Sequence, residues 1–125
     1  MEQIKQVLKE YFEAWNKGFI SKDGEGIRAF MSESLVGHWA HSNLEKPDNY
    51  YYDYDLHSVL VQMDDAEKSF ETLSITERKN GYEYVILGRE TNVIKGEPFR
   101  AQCMFVWRKE DAGWKLVREY IELER

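Results

Sequence analysis

With 125 residues, 17 Lys and Arg against 23 Asp and Glu, and a formal net charge of -6, the chain can bury a core of its own. It carries no basic run that would draw it to nucleic acid or to an anionic membrane surface. One cysteine, Cys103, cannot form an internal disulfide, which fits a reducing compartment, and with no linker-like stretch or internal repeat residues 1–125 read as a single domain.

The opening "MEQIKQVLKEYF" is acidic and amphipathic, whereas a secretory leader starts basic and continues apolar; no apolar run approaches the ~18 residues of a membrane span. The expectation is a cytoplasmic protein with no membrane contact. Ile4, Val7, Leu8, Tyr11, Phe12 and Trp15 recur at helical spacing and predict a helix from about residue 2 to 17, with Gly18 in the left-handed position that ends it. In "SKDGEG", Asp23 is a candidate N-cap for a second helix that turns Ile27, Phe30 and Met31 inward. "LVGHWAH", residues 35–41, has no helical period and reads as a short strand.

"NYYYDYD", residues 49–55, then reads as a connection to a third helix over roughly 55–67, where Leu56, Val59, Leu60 and Met63 repeat at helical spacing and Asp53 or Asp55 caps. Tyr54 is expected to point inward, making the stretch a candidate lid. The rest of the chain is four long segments separated by "NG", "KGE" and "EDAG", a meander of antiparallel strands in which Asn80-Gly81 suits a type I′ turn. Alternation puts Phe99, Ala101, Cys103, Phe105 and Trp107 on one face, and Met104 and Val106 on the other. The helices cover one face, so the outer face is expected to meet a second copy in a homodimer.

This order of elements, from the first helix through "DGEGIRAFM" to the closing "FVWRKEDAGWKLVREYIE", resembles the NTF2-like superfamily, also called SnoaL-like, over nearly the whole chain. The resemblance implies an α+β cone, in which a strongly bent, mostly antiparallel sheet wraps three N-terminal helices around an internal pocket. It includes ketosteroid isomerase, which uses a tyrosine and a protonated aspartic acid as oxyanion donors and a second aspartate as base. Matching "AWNKG" and "EGI" to that pattern places the tyrosine on Tyr11. The base falls near His38 or Trp39, where no carboxylate stands, and the second acid falls around the apolar Met104 to Val106.

These positions define the candidate site: His38 as base and Tyr11 as donor, with Trp15, Trp39, Tyr54, Gln102, Met104 and Arg118 as ligand-binding residues. An unperturbed histidine already titrates near neutrality. Bland roles stand beside these: core packing for Tyr11 and Trp15, a dimer contact or ion pair for Gln102 and Arg118, and an undecided role for Glu119. His38 and His41 lie three apart on a strand and face opposite ways, so no metal site is expected, and no phosphate-binding glycine loop or other cofactor motif is present. Two functions remain open: proton transfer on an apolar or aromatic small molecule, as in an isomerase or cyclase, and a non-catalytic sensor, carrier or dimeric association scaffold.

Overall fold

The computed structural model describes residues 2–125. In chain order the elements are α1 (Glu2–Ser21), α2 (Glu25–Arg28), β1 (Met31–Ala40), β2 (Asp48–Tyr51), α3 (Leu56–Gln62), β3 (Glu67–Arg78), β4 (Glu83–Ile94), β5 (Glu97–Glu110) and β6 (Gly113–Leu123). The strands form one curled sheet in the order β2-β1-β6-β5-β4-β3, antiparallel except where β1 runs parallel to β6. The fold is therefore the expected α+β cone, with one more strand than the sequence pattern indicates. No helix among the described residues is long and apolar enough to cross a membrane.

The apolar stripe of α1 fills the concave side of the sheet. Ile4, Leu8, Tyr11, Phe12, Trp15 and Phe19 are all buried. Phe12 stacks on Phe70 of β3 with ring centroids 5.1 Å apart, and Tyr11 meets Trp107 of β5 edge-on at 5.2 Å. Burying each of these large side chains contributes on the order of 2–3 kcal/mol before entropy is counted. The helix runs past Gly18, because this glycine serves close packing instead of termination: a Cβ there would press on Ile27 of α2. The left-handed residue after the helix end is Lys22, with φ 62°.

α2 is a single turn whose N-cap is Gly24 and not the expected Asp23, which stands one residue earlier and accepts a hydrogen bond from the Glu25 N–H, 3.0 Å away; Phe30 and Met31 lie beyond the helix. Asp55 caps α3 by accepting from the Ser58 N–H at 3.1 Å. The Asn80-Gly81 turn is longer than a two-residue hairpin: Arg78 pairs with Glu83, and Lys79, Asn80 and Gly81 all take positive φ in a short 3-10 turn. The two-residue loop with both φ positive is instead Lys95-Gly96, between Ile94 and Glu97.

A β-bulge in β6 sets which side chains reach the interior. Trp107 pairs with Leu116 while Val106 pairs with Arg118, so Val117 is an extra residue in the ladder. Without it, Leu116 and Arg118 would share a face. With it, Leu116 and Glu119 face inward and Arg118 faces out. The outer face carries Leu87, Met104, Val106 and Tyr120 flanked by ion pairs, and Leu87 is 46% exposed.

Candidate functional site

Between α1, α3 and the inner face of the sheet lies a cavity of about 530 Å³. Its wall is mostly aromatic and aliphatic, with Tyr11, Phe12, Trp15, Trp39, Tyr54 and Phe105 among its members. Into this apolar wall the strands set a few polar groups: Tyr50 from β2, Lys68 from β3, Glu90 and Asn92 from β4, and Glu119 from β6. Each stands on the inward phase of its strand.

Glu119 is the most perturbed carboxyl of this set. It is 6% exposed, and the Tyr50 hydroxyl donates to its Oε2 at 2.6 Å. Burial pushes its pKa up to about 7; the Tyr50 hydrogen bond and the Lys68 charge oppose that rise, and the Glu90 charge adds to it. The phenols respond in turn. Tyr50, Tyr54 and Tyr11 are all raised above the ordinary tyrosine value, first by burial and then by the Glu119 charge. They remain protonated, and Tyr50 gives its one O–H to Glu119.

Tyr50 reaches Glu119 because of what stands opposite it. Its ring lies flat over Gly37 of β1, its register partner, where any Cβ would collide with the ring. The segment that carries it is fastened from behind: the Arg28 guanidinium donates to the carbonyl oxygens of Tyr52 and of Tyr54, the latter at 2.9 Å, and lies over both rings. "NYYYDYD" is therefore half strand and half turn. Asp48–Tyr51 form β2, and the two tyrosines turned to the cavity are Tyr50 and Tyr54, with ring centroids 5.1 Å apart.

The opposite wall holds an ion pair. Lys68 Nζ donates to Glu90 Oε2 at 3.1 Å, with both side chains less than a tenth exposed, and sits 4.9 Å from the centroid of the Trp15 ring. Asn16 of α1 fixes the Lys68 backbone from both sides, accepting from its N–H at 2.7 Å and donating to its C=O at 3.0 Å.

The sequence-derived site residues divide cleanly. Tyr11, Trp15, Trp39 and Tyr54 line the cavity. His38 does not: its neighbour Trp39 takes the inward phase of β1, so His38 faces out, near Tyr120 and 3.0 Å from the Asn49 amide nitrogen. Gln102 and Met104 lie on the outer phase of β5, and Gln102 donates to Glu124 at 2.7 Å. The bulge at Val117 turns Arg118 outward as well. Sequence reasoning left open whether a tyrosine besides Tyr54 turns inward and passed over Lys68, Glu90 and Asn92; for these three the usable signal was polar residues in phase with Phe70, Tyr84 and Ile86 on β3 and β4. Among the described residues no group of three or more His, Cys, Asp or Glu is arranged to hold a metal ion.

This architecture, a curled sheet around a long helix with a cavity between them, defines the NTF2-like fold. No family model matches the chain, and no curated protein matches it. Solved structures match over nearly all of it. An NTF-2-like protein of unknown function from Shewanella oneidensis is 20% identical with a TM-score of 0.74, covering 97% of this chain and 97% of that one. A ketosteroid isomerase-like protein from Erwinia carotovora atroseptica is 15% identical with a TM-score of 0.65, covering 98% and 94%. A protein described as a calcium/calmodulin-dependent protein kinase II association domain, from Xanthomonas campestris, is 11% identical with a TM-score of 0.67, covering 94% and 86%. At these identities the likeness establishes the fold and leaves the chemistry to the residues.

Proposed function

We propose that the cavity binds an apolar or aromatic small molecule and catalyses proton transfer on it, an isomerase- or cyclase-type reaction with Glu119 as acid/base. The observation that carries this reading is the Glu119 carboxyl, buried in an aromatic wall with one phenol bonded to it and a pKa brought to about 7. Such a group is half ionised at neutral pH, so it takes and returns a proton without a large free-energy penalty in either direction. Tyr50 spends its one O–H on Glu119 and positions that carboxyl, and the protonated Tyr11 is the donor for negative charge developing on a substrate oxygen, as in an enolate. Tyr11 thus keeps the role expected from the sequence, and the base role expected of His38 passes to Glu119. Trp15, Trp39 and Tyr54 supply the flat apolar contacts.

A probe that needs only a base and an apolar pocket tests this directly. In nitrobenzisoxazole, removal of the ring C–H proton sends its electron pair into a nitrile, breaks the N–O bond and releases a coloured phenolate. The wild type should open it with a rate that rises through about pH 7, and Glu119→Gln should lose at least about 100-fold. A wild-type rate no greater than that of free acetate overturns the assignment.

A second reading is favoured by the outer face, where Leu87 is 46% exposed beside Met104 and Val106. There the protein is a cytoplasmic homodimer joined through that face, and the cavity binds its ligand without turnover. The Xanthomonas protein described as an association domain shares the fold, which supports this reading. Sedimentation across a concentration series separates a dimer from a monomer.

A further inference from the structure

Among the described residues, one buried side-chain oxygen on the cavity wall, that of Asn92, has no hydrogen-bond partner. Asn92 stands two residues beyond Glu90 on the inward phase of β4, opposite Lys68 in the β3–β4 register, and lines the cavity. It is 8% exposed, and its side-chain oxygen is buried without a hydrogen bond. An unpartnered buried amide costs about 1–3 kcal/mol, and a leucine of similar size would occupy the same place without that cost. Nearby polar groups are already engaged: Lys68 Nζ with Glu90 and the Trp15 ring, and the Lys68 backbone with Asn16.

Asn92 also lies far from Glu119 within the same cavity. Its register partner on β5 is Phe99, toward the exposed edge, whereas that of Glu119 is Phe105, in the core. The charge around Asn92 is balanced, since Lys68 and Glu90 neutralise each other at 3.1 Å. A ligand carboxylate would be repelled by Glu90, and a ligand ammonium by Lys68. An amide both donates and accepts, and rotation about its last torsion offers either atom to the cavity.

We infer that Asn92 is a second anchor of the cavity, taking an uncharged hydrogen-bonding group such as a carboxamide, carbonyl or hydroxyl at the end of the ligand away from Glu119. The natural ligand is then an apolar or aromatic body with a neutral polar group at one end. This deepens the reading of the cavity as a small-molecule site and rests on it, but does not depend on Glu119 being a base.

Two probes of matched shape test the inference by calorimetry: naphthamide, whose carboxamide pairs with an amide through two hydrogen bonds, and methylnaphthalene, which has none. The wild type should bind naphthamide about tenfold more tightly, the increment of one or two buried neutral hydrogen bonds. Asn92→Leu should bring the two probes within about twofold while methylnaphthalene binds as before, and Glu119→Gln should keep the tenfold preference. The side-chain amide NMR signals absent from Asn92→Leu should shift when naphthamide is added to the wild type. No preference for naphthamide in the wild type, a preference that survives Asn92→Leu, or one lost in Glu119→Gln each overturns the inference. A preference that behaves as expected in a protein inert toward nitrobenzisoxazole keeps the anchor and removes the catalytic reading.

Discussion

Glu83 on the outer face of the sheet and Glu119 on the inner face are both nearly fully buried, yet their environments push them in opposite directions. Burial alone raises Glu83, but hydrogen bonds from Arg108 and Arg78 and the charges of Arg78 and Lys79 outweigh it and hold the carboxyl below its ordinary value. Glu119 has a phenol in place of the guanidinium groups, and burial prevails. Glu90, across the cavity, has one ammonium as partner, at 3.1 Å. Burial therefore does not mark a functional acid. What brings a buried carboxyl toward neutrality is a partner too weak to fix its charge.

The sharpest way to break this contrast is to strip Glu90 of its partner. Lys68→Met leaves a carboxylate buried and uncompensated, and a loss of about 3 kcal/mol is expected in urea unfolding at neutral pH. Adding Glu90→Leu should restore most of it; a double variant as weak as the single one would mean that Lys68 acts through packing on Trp15.

Glu119 should make stability fall as pH rises. Its folded carboxyl keeps a proton up to about pH 7 while an unfolded one releases it near 4.5. The stability it contributes is full below 4.5 and is lost as pH rises through about 7, on the order of 3 kcal/mol in all. Glu119→Gln should remove that slope from the stability profile, and an unchanged slope would place the titration elsewhere.

The smallest effect belongs to Glu83. Its folded pKa lies below 4.5, so its contribution is present above that value and disappears as pH falls through the folded pKa. Glu83→Gln should cost about 1 kcal/mol at neutral pH, because Arg78 and Arg108 are each more than a third exposed and water screens them. The loss should vanish in acid.

Much of the scaffold was legible in the sequence. The stripe of α1 and the alternation from Phe99 to Trp107 fixed the helix and the faces of β5, because periodicity reports burial directly. β2 was not legible: it is an edge strand in which Tyr50 packs inward against Gly37 while Tyr51 is exposed, so it shows no apolar alternation. Gly18 misled for a related reason, since a glycine required by a neighbouring side chain looks the same in sequence as one required by a positive φ. The Lys68–Glu90 pair joins residues on adjacent strands and becomes visible only once their register is known.

The extra residue at Val117 also bears on how such a chain can change its chemistry. A one-residue bulge in a strand reverses which alternate side chains it presents beyond that point: with Val117 paired in a regular ladder, the same sequence would offer the interior Arg118 and Tyr120 in place of Glu119 and Ile121. The bulge, and not the composition of the strand, thus decides whether an acid or a base faces the interior, and it does so for a whole row of side chains where a substitution changes one.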